Sequence, residues 1–296
     1  MKKGFAVIGA IALVVGIVLF TAGMTALGWD FTALGTTKYV TNTHEVTEAF
    51  SSIALVTDTA DITFVPTEGA CRVVCYEREN GLHRVSVENG TLTVGLEEQR
   101  AWYEHIGVNI ASPKITVYLP QGVYGHVGIK TDTGAVEMPK EFQFESADIS
   151  LSTGRICWSA SVEEEAKLRT HTGHVQVEDI SLQSLSVTVS TGKAELKNIR
   201  CETLRSKGST GDILLENVIA SGRLSVERDT GDVTLDGCDA AEIFIETDTG
   251  DITGTLLTEK VFDAHSDTGR VAVPKTGSGG SCKLNTDTGD IKVTVK

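Results

Sequence analysis

Two columns of aspartate offer the sharpest chemistry in this sequence. Asp229, Asp248, Asp267 and Asp287 each stand two residues before a repeated glycine, and Asp212, Asp232, Asp251 and Asp290 stand one residue after it. If the repeats stack, each column gathers like charges, and Ca²⁺ would relieve the repulsion by taking several carboxylate and carbonyl oxygens. Against this, aspartate commonly caps its own turn through backbone N–H groups. Capping is the expected role, because the glycine-rich nonapeptide of calcium solenoids is missing and Arg270 interrupts the second column. His171 and His174 fill both columns at one corner, Thr170-His171-Thr172-Gly173-His174, but the sequence supplies no third ligand beside them. No metal and no cofactor is expected.

Catalysis is not expected either. Parallel β-helices host polysaccharide lyases and hydrolases that work with surface carboxylates. Such sites need loops that wall a cleft, whereas these repeats hold one length and carry few aromatics to stack a sugar. GxSxG, HExxH and phosphate-cradling loops are missing. A carbohydrate-active enzyme is the distant alternative.

The glycines that organise these columns are Gly134, Gly154, Gly173, Gly192, Gly211, Gly231, Gly250, Gly269 and Gly289, always 19 or 20 residues apart. A period that constant is the signature of a solenoid. Threonine precedes each one, as Thr133, Thr153, Thr172, Thr191, Thr210, Thr230, Thr249, Thr268 and Thr288. Thr-Gly reads as a strand end followed by a corner, since glycine reaches φ > 0 where the chain must bend. Residues 57–62, Thr-Asp-Thr-Ala-Asp-Ile, form a degenerate earlier copy. Threonines one and three before the glycine share the parity of the apolar residues, so their hydroxyls are expected inside, bonded to one another. That placement argues against an ice-binding face.

Apolar residues alternate on both sides of the corner. Ile213, Val233, Ile252 and Val271 lie two after their glycines and predict one interior column. Five before the glycine the column reads Ile129, Ile149, Leu168, Val187, Ser206, Val226, Ile245, Ala264 and Leu284, with only Ser206 polar. A third, less regular side carries Leu182, Cys201 and Leu257. Nine rungs at roughly 4.8 Å each predict a rod about 40 Å long. The last copy is expected as the terminal strand, with Lys292 and Lys296 outward to discourage edge pairing.

Ahead of the coil, Met1-Lys2-Lys3 precedes an uncharged run over residues 4–29, long enough to span a bilayer. The lysines place the N-terminus in the cytoplasm and the remainder outside. A cleaved signal peptide is the competing reading, but the apolar run is long for one. The formal charge of −14 suits an acidic exported β-protein and excludes nucleic acid as a partner. Cysteines 71, 75, 157, 201, 238 and 282 show no CxxC or metal-ligand spacing. Cys71 and Cys75 would sit about 13 Å apart on one strand, beyond disulfide reach. Cys282 shares the apolar parity and reads as a core residue.

The predicted organisation is all-β. A transmembrane helix over 1–30 leads to a hairpin-rich capping region over 36–125 and a parallel β-solenoid over 126–296. The hairpins are expected from residues 72–76, 84–88, an Asn89-Gly90 turn, 91–95 and 115–119, stopped by Pro120. Residues 97–104 read as loop or a helical turn. The capping region would cover the first apolar end of the coil, as solenoids require.

The repeated Thr-Asp-Thr-Gly-Asp-Ile, its early copy at 57–62, the strand at 115–120 and the single N-terminal span resemble the bacterial putative-adhesin family, a domain of unknown function. The likeness covers nearly the whole chain. It implies an envelope-associated β-solenoid at the cell membrane, some members being encoded near envelope-stress systems, and it carries no catalytic residues. A non-catalytic adhesin or envelope scaffold is therefore the expected function, with a signalling accessory that binds a membrane partner as the alternative. The expected partners are the membrane, an envelope protein or glycan, and further copies of the chain.

Overall fold

The computed structural model describes residues 2–26, 28–29, 38–98 and 112–296, with side chains for all of these except 2–8, 10, 97 and 98. Helix α1 (Lys2–Ala26) comes first. Strands β1 (Tyr39–Val46), β2 (Ser52–Thr59), β3 (Asp61–Thr67), β4 (Cys71–Arg78), β5 (Gly81–Glu88), β6 (Thr91–Glu98) and β7 (Lys114–Pro120) follow. Then come β8 (Val123–Met138), β9 (Gln143–Trp158), β10 (Ser161–Glu178), β11 (Ser181–Thr210), β12 (Ile213–Thr230) and β13 (Val233–Thr249). The last are β14 (Ile252–Leu256), β15 (Lys260–Thr268), β16 (Val271–Ala272), β17 (Gly280–Thr288) and β18 (Ile291–Val295).

From β8 to β13 the strands stack in parallel, one rung on the next, with Gly134 opposite Gly154, Gly154 opposite Gly173 and Gly173 opposite Gly192. Alternation drives this arrangement. In β10, Ala166, Leu168 and Thr170 point inward before the corner, and Val175 and Val177 do so after it. Burying one apolar face per rung makes a continuous core of Ile129, Ile149, Leu168, Val187, Val226 and Ile245. Cys282 joins it at 1 % exposure. On the third side Leu182 and Cys201 are buried, while Leu257 is exposed.

The order of rungs departs from the order of sequence at both ends. After β13 and β14 the next rung is not β15 and β16 but β17 and β18: Ile245 pairs with Leu284, and Ile252 with Ile291. Strands β15 and β16 lie outside them, with Ala264 opposite Leu284 and Val271 opposite Ile291. The expected column is thus corrected to Ile213, Val233, Ile252, Ile291 and then Val271, which is 44 % exposed. Lys292 is outward, yet β18 is paired on both sides and is not the edge. Two physical reasons favour this order. At matched positions Leu284 stands inside in place of Ala264 and Ile291 in place of Val271, a gain in apolar burial that is offset in part by Cys282 standing in place of Phe262. Pro274, lacking an N–H, suits an edge rung.

At the other end β2 and β3 turn at Ala60 and support β8, Ile53 opposite Val127 and Ile62 opposite Val136. Beneath them lies another rung, β6 parallel to β2 and β7 parallel to β3, where sequence alone suggested hairpins. One hairpin is present as expected: β5 and β6 join at Asn89 and Gly90, both at positive φ. Strands β4 and β1 then add antiparallel to β7 and to β4 respectively. Beyond Glu98, the stretch read as loop or helical turn lies outside the described residues.

Among the described residues no helix is long and apolar enough to cross a membrane. The span expected over residues 1–30 is therefore not established by the structure. Along α1 the side chains of Leu13, Val14, Val18 and Leu19 are well over half exposed.

Candidate functional site

Each corner is built on close backbone approach. Gly173 has φ 145°, and a Cβ there would overlap the carbonyl of Gly154 in the rung below. No L-residue tolerates both conditions. The corner also takes up more chain than simple alternation allows, so Thr172, like Thr133, Thr153, Thr191, Thr210, Thr230, Thr249, Thr268 and Thr288, faces solvent. The expectation that these hydroxyls point inward is corrected. Only the threonines three before the glycine are inside, and they donate to backbone carbonyls: Thr247 Oγ1 to Gly231 O at 3.2 Å and Thr286 Oγ1 to Gly250 O at 3.0 Å.

Aspartates after the glycine bond across rungs rather than within their own. Asp212 Oδ1 accepts the N–H of Asp232 at 3.0 Å, Asp232 Oδ1 that of Asp251 at 2.8 Å, and Asp251 Oδ1 that of Asp290 at 2.7 Å. Asp290 Oδ1 in turn accepts the N–H of Arg270 at 2.8 Å, so the arginine closes the column. The other column, Asp229, Asp248, Asp287 and Asp267 in spatial order, is exposed, and Asp267 meets His265 Nε2 at 2.9 Å. His171 is exposed, while His174 Nε2 is buried without a partner.

A second corner column, absent from the sequence reading, consists of Asp179, Asn198, Asn217 and Gly237, all at positive φ near 50–60°. Asn217 Nδ2 donates to Asn198 Oδ1 at 2.9 Å and Asn198 Nδ2 to Asp179 Oδ1 at 2.7 Å. The signal was available: each lies six residues after its glycine.

Ser206, the polar exception in its column, is explained by Arg228. That guanidinium replaces the inward threonine, is 4 % exposed, and donates from Nη2 to Ser206 Oγ at 3.0 Å. Gly208 clears its path, since a Cβ there would overlap Nη1. Burial pushes the Arg228 pKa down to about 10.

The densest polar chemistry lies in the cap. Glu77, 1 % exposed, accepts Asn42 Nδ2 on Oε1 at 2.7 Å and the His83 backbone N–H on Oε2 at 2.6 Å. His83 Nδ1 also meets Glu77 Oε2 at 2.7 Å, and His83 Nε2 meets Thr57 Oγ1 at 2.8 Å. Hydroxyl, imidazole and carboxylate are thus aligned as in a hydrolytic relay. The adjoining cavity is only about 20 Å³, about the room of one water. Thr57 is itself buried at 6 % exposure. The chain of bonds ties Thr57 of β2, Glu77 of β4 and His83 of β5 together inside the cap. Cys75 stands beside Glu77, its thiol pushed up to about 12 by burial and then by the Glu77 charge.

The model of the Toastrack DUF4097 family matches residues 50–236 and 211–296. The chain belongs to that family. Among solved structures it is similar to a protein described as a putative lipid binding protein from Parabacteroides distasonis ATCC 8503, with TM-score 0.55 and 14 % identity, covering 87 % of this chain and 98 % of that one. It is also similar to a putative adhesin from Parabacteroides merdae ATCC 43184, with TM-score 0.51 and 12 % identity over 88 % and 98 % of the two chains. At these identities the likeness establishes the fold alone. Curated proteins gave no match. The Toastrack fold is accordingly an all-β, parallel solenoid-like stack in this chain.

Proposed function

We propose that this Toastrack chain is a membrane-anchored, extracytoplasmic binding protein, an adhesin or envelope scaffold without catalytic activity. The observation that carries this reading is the unbroken corner column from Gly134 to Gly289 and Gly269, which presents an exposed threonine at every rung and aspartates on every rung from Gly211 onward. Such a surface offers repeated polar contacts to an extended partner rather than a pocket to a small one. Similarity to a putative adhesin and a putative lipid binding protein is in keeping with a role at an envelope surface.

Support for the anchor comes from the sequence, where residues 4–29 carry no charge and form a run long enough to span a bilayer. In helix α1, Leu13, Val14, Val18 and Leu19 are exposed, while Met24 is buried. In this reading residues 1–30 anchor, 36–125 close the first end of the coil, and 126–296 display the ladder.

A strain lacking the gene tests the function. Reduced attachment with unchanged envelope-stress reporter output is the expected result. Normal attachment with altered reporter output would replace it with the signalling-accessory reading, and a change in glycan turnover with an enzymatic one.

A further inference from the structure

The cap contains a group of potential metal ligands that the corner ladders do not use. Strand β1 runs antiparallel to β4 with Asn42 opposite Cys75 and His44 opposite Val73. Alternation therefore places Asn42 and His44 on the same face of the ladder as Cys75 and Glu77. A His44 ring nitrogen, Cys75 Sγ and a Glu77 carboxylate oxygen all lie within 4.8 Å of one another. Among the described residues this is the one group of three such donors so close together.

Each donor is left in a state suited to a ligand. His44 Nε2 is buried and makes no hydrogen bond, an arrangement that costs free energy unless something fills it. Cys75 is fully buried and free. Glu77 is held from behind by Asn42 on one oxygen and by His83 on the other. Such outer partners fix a ligating carboxylate in orientation. His83 is not a fourth ligand, because Thr57 and Glu77 already occupy both of its ring nitrogens.

We infer that His44, Cys75 and Glu77 form a binding site for a zinc-type divalent metal ion, clipping β1 onto β4. One imidazole, one thiolate and one carboxylate make a borderline-soft set that selects Zn²⁺ over Ca²⁺ or Mg²⁺. Ligand bonds of about 2.0–2.3 Å require donors roughly 3.5 Å apart, which rotation of the unrestrained His44 ring and small adjustments of the other two provide. Three protein ligands leave a fourth position for water. Binding displaces the Cys75 proton to solvent, so affinity rises with pH. This site lies apart from the corner ladder on which the proposed binding role rests, and its loss would leave that role standing.

The test uses the full chain, reduced, stripped with chelator and titrated with Co²⁺ as a spectroscopic stand-in. One Co²⁺ per chain is expected, with a thiolate-to-cobalt charge-transfer band that one equivalent of Zn²⁺ abolishes. Cys75→Ser should lose the band, Cys71→Ser should keep it, and His44→Ala should weaken Co²⁺ binding by more than about tenfold. Wild-type chain that takes up no stoichiometric metal would overturn the site without recourse to any variant. So would a band that survives in a folded Cys75→Ser chain. If Cys75→Ser does not fold, His44→Ala decides: unchanged affinity there overturns the assignment.

Discussion

The backbone N–H of Asp290 donates to Asp251 Oδ1 at 2.7 Å across 39 residues of sequence, while the copy between them, with Gly269 at its corner, lies on the outside. The carbonyl of Thr288 likewise receives the N–H of Gly250, and that of Thr268 receives the N–H of Gly289. The rung of β17 and β18 is therefore clamped on both faces, and that of β15 and β16 on one.

Two substitutions at equivalent repeat positions should consequently behave differently. Ile252→Asp buries an unpaired charge between Val233 and Ile291 and should cost more than about 3 kcal/mol. Val271→Asp, on the outer rung at 44 % exposure, should cost less than about 1 kcal/mol. Because rungs contact mainly their neighbours, hydrogen exchange in Ile252→Asp should rise first in β13, β14, β17 and β18, with β8 and β9 still protected. Equal loss of protection in the two variants would refute the strand order.

The glycine column predicts a second contrast. Gly173→Ala forces φ 145° on an L-residue and drives its methyl into the Gly154 carbonyl. A loss of about 3 kcal/mol or more is expected in denaturant unfolding. Gly277→Ala, with no atom within 4 Å of the new methyl, should be nearly neutral.

These contrasts mark what could be read from sequence and what could not. The period was legible because each corner stacked above Ala60 has no room for a side chain, so Gly134 through Gly289 declare themselves. Rung order was not, since each rung offers the same apolar face and any two can stack; Pro274 was the one local cue. Alternation misplaced Thr172 and its equivalents because the corner exposes two consecutive residues, His171 and Thr172, before parity resumes at Val175. In the cap, Cys75 and Glu77 share a face at a spacing of two, but His44 reaches them only through the pairing of β1 with β4, which no repeat announces.

Buried thiols give a pH dependence. Burial raises Cys71, Cys201 and Cys238 to about 11 and Cys75 and Cys282 to about 12, from an ordinary thiol value of 9.0. Between pH 9 and those values the folded chain holds protons that the unfolded chain releases, so stability present below pH 9 should fall as pH rises. Urea unfolding of metal-free chain at pH 8, 9 and 10 should show this decline. Cys282→Ala, outside the cap cluster, should flatten it; an unchanged slope would remove that thiol as a cause.

Topology is the direct test of the anchor. Protease added to protoplasts should digest the rungs while a tag ahead of Lys2 stays protected. Protected rungs would place the solenoid on the cytoplasmic side and end the adhesin reading.

The aspartate column, finally, separates a backbone cap from a calcium site. Asp251 has one carboxylate oxygen committed to the N–H of Asp290, and its own N–H is committed to Asp232 Oδ1. Asp251→Ala leaves the Asp290 N–H without that acceptor at an exposed corner, so a cost of about 1 kcal/mol is expected. Asp251→Asn retains a carbonyl oxygen and should recover most of it. A calcium ladder would answer differently: Asn would serve poorly in place of the charge, and Ca²⁺ would raise Tm in proportion to its binding to the folded chain. With capping as the role, neither Ca²⁺ nor its chelator should move the Tm of wild type or of Asp251→Asn, and a calcium-dependent rise lost in Asp251→Asn would convert the column into a cation site.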